Sequence, residues 1–241
     1  MKKNIATQPE AKFGASSITL IASPIHTAVV VALSAANAAR GVWFAGRVRA
    51  GLLPDRPTLY LRTIFFECVL LAVMLAGLKL RGTPLRVVLG KRWRSAGETF
   101  RDVGIGMALW LAALILVSLL SGHNSSADGS IRFLIPQTMG EFLLWVALAI
   151  IAGISEEAVF RGYYQQQFAA LTRSAWGGVL LSSGIFAAVH AYQGWGRALI
   201  IGASAIMYGL VANWRGTVRP GMIAHALQDA IAPVLLRLLR Q

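Results

Sequence analysis

The stretch "FLLWVALAIIAGISEEAVFRG", Phe142 to Gly162, runs from an unbroken apolar segment straight into two adjacent glutamates, Glu156 and Glu157, followed by Arg161. A run this long and apolar has the length of a membrane-spanning helix. It lacks the polar/apolar alternation of a barrel strand, and backbone facing lipid must satisfy its hydrogen bonds internally. An acid at mid-bilayer costs roughly 2.5 to 3.5 kcal/mol on insertion scales, so two of them need a compensating reason.

The rest of the chain agrees with the membrane reading. Its 241 residues have a mean hydropathy of +0.61, with 56% hydrophobic and 14% charged residues, too apolar for a soluble domain of this length. Apolar runs recur at Ile18–Ala45, Leu59–Leu78, Val103–Leu120, Phe142–Phe160, Trp176–Ala191, Ala198–Val211 and Met222–Leu239. The expectation is an all-α, polytopic transmembrane helix bundle of about seven spans, six to eight, with a polar intramembrane cavity formed by the C-terminal helices. Residues 1–17 form a tail and residues 18–241 a single multi-pass membrane domain.

A net charge of +13 raises the question of nucleic acid. The bases lie between apolar runs rather than in one patch, so topology explains them and no nucleic-acid partner is expected. Fourteen Lys and Arg fall on the side of the tail and the 79–101 loop against nine on the other. The positive-inside rule therefore places the N-terminus in the cytoplasm.

Trp43, Trp176, Trp195 and Trp214 stand at span ends, where an indole straddles the headgroup region. Lys2, Lys3 and "ANA" at Ala36–Ala38 imitate a cleavable signal peptide, but the long tail and the spans that follow argue against one. The single Cys68 lies inside an apolar run and has no intrachain disulfide partner. The segment Thr83–Arg101 mixes bases with Leu, Val, Trp and Phe and reads as containing an interfacial helix. The polar loop "SGHNSSADGSIRFLIPQT" reads as an exposed connection, with His123 facing solvent.

The polar residues of the last four spans carry the chemistry. Arg161 follows Glu157 by four positions, which permits an ion pair one turn apart, while Glu156 points about 100° away, free to face a cavity. "FAAVH" places Phe186 and His190 on one helical face, and "HALQD" does the same for His225 and Asp229. The cost of burying such groups unpaired favours their meeting in one wet site. A carboxylate with neutral imidazoles can polarise water for attack on a carbonyl. The same set could hold a divalent metal such as zinc, through Glu156, His190 and His225, although "HExxH" is absent.

"EEAVFR" fits EExxxR, "FAAVH" fits FxxxH and "HALQD" fits HxxxN/D, in that order on successive apolar segments. The ordered set resembles the CPBP family of intramembrane proteases, also called Abi, which holds the type II CAAX prenyl endopeptidases and bacterial bacteriocin-processing and self-immunity proteins. The resemblance covers about Phe142 to Ala232, within a protease-like core at about 139–241. It implies an intramembrane endopeptidase acting on a peptide or membrane-protein segment in the membrane, of glutamate or metal-dependent type. Glu156 would be the water-activating base, assisted by His190. Glu157 and Arg161 would support the site, and His225 with Asp229 would stabilise the oxyanion or position water. Asp229 stands where the prenyl endopeptidases carry Asn, and an ionised Asp cannot donate a hydrogen bond as an amide can. With Glu156 and His225 toward one membrane face and His190 late in its own span, a tilted helix or a fifth helix broken near Gly177, Gly178 and Gly184 would bring them to one depth. The small size and short loops fit a bacterial cell membrane.

Three other readings compete. "GASAIMYG" from Gly202 imitates the GxSG of rhomboid serine proteases, with Ser204 as nucleophile and His225 as base, but leaves the glutamates without a role. A non-catalytic chaperone or immunity protein could use the same fold. A small proton-coupled transporter would use Glu67 and His26, although Glu67, five positions after Arg62, reads more simply as a paired or snorkelling acid near the interface.

Overall fold

The computed structural model describes residues 19–121 and 133–238. The tail with Lys2 and Lys3, and His123 with most of its loop, lie outside the described residues. Among the described residues the architecture has eight helices: α1 Pro24–Arg49, α2 Arg56–Arg81, α3 Arg86–Leu89, α4 Ala96–Ser121, α5 Met139–Thr172, α6 Ala175–Val189, α7 Trp195–Arg215 and α8 Arg219–Leu238. Five of them, α1, α2, α4, α5 and α7, are long and apolar enough to cross a membrane. The 15-residue α6 is apolar but shorter, and α8 holds 20 residues.

The helix ends follow from local chemistry. Ser23 and Asp55 cap α1 and α2, accepting from the amides of His26 at 3.1 Å and Thr58 at 2.9 Å, each with a proline in the first turn. Thr138 caps α5 at Glu141 N (3.2 Å), while Glu141 reaches back to the amide of Gln137. Gly82 and Gly216 end α2 and α7 in the left-handed conformation.

Apolar side chains cover the outside of the bundle: Phe65, Leu80 and Phe100 are each at least 70% exposed. Such a surface suits lipid rather than water. Trp43, Trp176, Trp195 and Trp214 are exposed, and so is Cys68. Of the five long apolar helices α5 is the most buried, packed against α2, α6 and α8. From Glu157 to Tyr164 it widens into a π-helix in which every residue is buried. Wide turns of this kind recur at functional sites, where they re-aim side chains.

Two sequence expectations are refined. The 83–101 segment contains the short α3 and, from Ala96, the first turns of α4, and α3 packs inward: Val88 is fully buried, and a Cβ at Gly162 would lie 2.4 Å from its Cγ1. The glycines near the start of α6 do not break that helix. Gly178 permits close packing instead, since a Cβ there would sit 2.3 Å from the carbonyl of Gln165. The interruption falls at His190, where α6 gives way to a 3-10 turn, Ala191–Gln193, and Gly194 at φ 97°. At about 1.5 Å per residue α6 is roughly 22 Å long, short of the ~30 Å hydrocarbon core, so His190 ends it at depth.

Candidate active site

The π-helical part of α5 meets α6 and α8 around one cluster of charged side chains. Glu157 is 1% and Arg161 3% exposed, and Arg161 Nη1 lies 3.0 Å from Glu157 Oε1. The same carboxylate oxygen accepts from His225 Nδ1 on α8 at 3.0 Å. One acid thus holds a guanidinium and an imidazole together, which offsets the desolvation of all three. Because Nδ1 donates to a carboxylate, His225 turns Nε2 toward the other acids: Glu156 Oε2 at 3.7 Å and Asp229 Oδ2 at 3.5 Å. Those separations exceed direct hydrogen bonds. A proton or a water shared among the three groups would satisfy them.

Phe186 organises the other side. Its ring lies 4.2 Å beneath the Arg161 guanidinium carbon, and its centroid is 4.6 Å from that of His190 and 6.0 Å from that of His225. His190 Nδ1 donates to the Phe186 carbonyl at 2.8 Å. In the neutral ring this leaves Nε2 as a lone-pair acceptor, suited to a base. The cluster therefore joins Glu156, Glu157, Arg161, His225 and Asp229 within 4 Å steps, with His190 reached across the Phe186 ring.

Four residues enter that the motifs do not announce. Glu67, on α2, is 3% exposed and accepts from Ser155 Oγ at 2.6 Å, immediately before Glu156. It is buried and hydrogen-bonded inside the bundle, a paired acid and not a snorkelling one. Gly221, on α8, leaves room for Glu157, since a Cβ there would lie 2.7 Å from Oε2. Tyr208, on α7, places its ring 5.5 Å from the Arg161 guanidinium and 6.3 Å from the His225 ring. Trp145 Nε1 donates to the Asp229 carbonyl at 2.8 Å, tying α5 to α8. Only an acid in an apolar run, Glu67, carried any signal in the sequence. Among the described residues, buried Glu156 Oε2, Glu157 Oε2 and Tyr208 Oη have no hydrogen-bond partner, so the site retains polar capacity for a ligand or water.

His26, the other transporter candidate, bonds Tyr163 Oη at 2.9 Å and the Val73 carbonyl at 2.8 Å, a packing role between α1, α2 and α5. Both nitrogens of His225 face carboxylates, not Ser204. Among the described residues no three His, Cys, Asp or Glu side chains converge as a metal's ligand set. Glu156, His190 and His225 do not fit a metal in this arrangement, and no step below passes through one.

No curated protein and no solved structure matches the chain. Residues 138–231 match the family model described as type II CAAX prenyl endopeptidase Rce1-like. That interval begins at the cap of α5 and takes in every member of the cluster, with Glu67 outside it, and over it the chain is similar to the Rce1-like type II CAAX prenyl endopeptidases.

Proposed function

We propose that the protein is an intramembrane endopeptidase in which Glu156 activates the attacking water. The observation that carries this reading is the placement of Glu156 Oε2 3.7 Å from His225 Nε2, beside an imidazole anchored through Nδ1 by Glu157. A water about 2.8 Å from both atoms fits that separation. Glu156 takes its proton as the oxygen attacks the peptide carbonyl, and His225, carrying a proton on Nε2, stabilises the oxyanion. Collapse breaks the C–N bond, and Glu156 returns the proton to the departing amine. His190, with Nε2 bare, assists in holding the water. Asp229 tunes the charge at His225 Nε2 and does not donate to the oxyanion.

The substrate is a peptide or membrane-protein segment that reaches the cluster from within the bilayer. Comparing the membrane proteome of a Glu156→Gln strain with its parent tests the reading. A species of higher mass that persists only in the variant, at equal levels of inserted protein, is expected. Identical proteomes together with full function in Glu156→Gln and His190→Ala strains would favour a binding role on the same fold. Loss with Ser204→Ala alone would favour a serine nucleophile.

A further inference from the structure

A cavity of about 860 Å³ lies apart from the acid–histidine cluster. It opens at the membrane face that carries the 79–101 loop, between the end of α2, α3, the start of α4, the end of α5 and the α7–α8 junction. Its walls are fixed by specific contacts. Gly90 pairs with Thr217 across the cavity, Thr217 Oγ1 donates to the Leu89 carbonyl at 2.8 Å, Arg219 donates to the Lys91 carbonyl, and Gln166 donates to the Val87 carbonyl at 2.6 Å.

The charge inside is one-sided. Asp102 is consumed by Arg215 at 2.5 Å and by the Trp93 indole at 2.8 Å, and Glu98 caps the Arg94 amide at 2.7 Å. Arg86, Arg92, Arg94 and Arg101 line the cavity with no carboxylate within 4 Å among the described residues. Topology alone would ask only for bases on this side, not for four guanidinium groups, unpaired among the described residues, around one hollow. Trp93 and Trp214, 41% and 69% exposed, line it as well, and indoles favour the headgroup region of a bilayer. Guanidinium forks match phosphate oxygens, and the volume exceeds that of a single small anion.

We propose that this cavity is a binding site for the headgroup of an anionic phospholipid, held by Arg86, Arg92, Arg94 and Arg101. The inference stands apart from the peptidase reading, because none of these residues belongs to the cluster. The lipid would brace the α3 segment, which in turn packs through Val88 against the π-helical part of α5.

The test uses the full chain in micelles containing equal phosphatidylglycerol and phosphatidylcholine, with bound lipid counted by native mass spectrometry. Retention of phosphatidylglycerol over phosphatidylcholine is expected, reduced at least about tenfold in Arg92→Gln/Arg94→Gln, since each base near an anionic headgroup contributes about 1 kcal/mol. Both positions are exposed, and an unchanged melting temperature in phosphatidylcholine alone verifies the variant's fold. The wild-type comparison decides independently of the variant. Equal retention of the two lipids, or preference unaffected by the double substitution, overturns the proposal. Phosphatidylglycerol fully displaced by millimolar inorganic phosphate overturns it in favour of a free anion.

Discussion

Ser155 donates a 2.6 Å hydrogen bond to Glu67, 88 positions earlier in the chain, so α2 supplies a buried acid directly behind Glu156. Removing one partner of a buried hydrogen bond leaves the other unsatisfied at a cost of about 1 to 3 kcal/mol. Glu67→Ala should lower unfolding free energy in detergent by that amount or more, whereas Glu67→Gln, which keeps an acceptor, should lose less. Equal losses in denaturant titrations would show that the Ser155 bond does not matter.

The two adjacent glutamates should separate experimentally. Arg161→Gln leaves Glu157, 1% exposed, with His225 as its one remaining partner among the described residues, a loss of about 3 to 5 kcal/mol. Glu156→Gln removes a carboxylate that makes no direct hydrogen bond to His225, and should change stability by about 1 kcal/mol or less while reducing turnover by about 10²-fold or more. Thermal melts paired with cleavage assays on the same preparations check both halves. The opposite ranking would exchange the roles of the two acids.

Gly221 offers a test of Glu157 that leaves the charges in place. In Gly221→Ala the new methyl would lie 2.7 Å from Glu157 Oε2 and push the carboxylate from His225. Overpacking of this kind costs about 1 to 3 kcal/mol, and kcat should fall more than KM rises because the imidazole loses its orientation. Unchanged kcat would show that Glu157 does not position His225.

Asp229 is 36% exposed and stands 3.5 Å from His225 Nε2, too far for a direct hydrogen bond. Asp229→Asn keeps the shape and removes one charge, so turnover should change by less than about tenfold, well below the effect of Glu156→Gln. A loss as large as that of Glu156→Gln would make Asp229 an essential acid.

The helix-local part of the site was legible in the chain. Glu157 and Arg161 pair one turn apart, Phe186 and His190 touch along α6, and His225 and Asp229 face each other along α8, all as their four-residue spacing implies. The interruption at His190 was harder to see, because the glycines that drew attention sit earlier and are there for close packing, as at Gly178. The dense bases of the 83–101 segment read as containing an interfacial helix, and its inward contact, Val88 against Gly162, has no local signature.

By itself the sequence determined a helical membrane protein, because only apolar runs of spanning length and internally bonded backbone satisfy a bilayer. It also determined which polar residues share a helix face, because helical periodicity is local. Tertiary packing alone decided that Glu157 rather than Asp229 makes the hydrogen bond to His225, that Glu67 stands behind Glu156, and that four arginines surround one cavity. Those partners lie on different helices, and no local spacing encodes how two helices far apart in the chain will rotate and slide against each other.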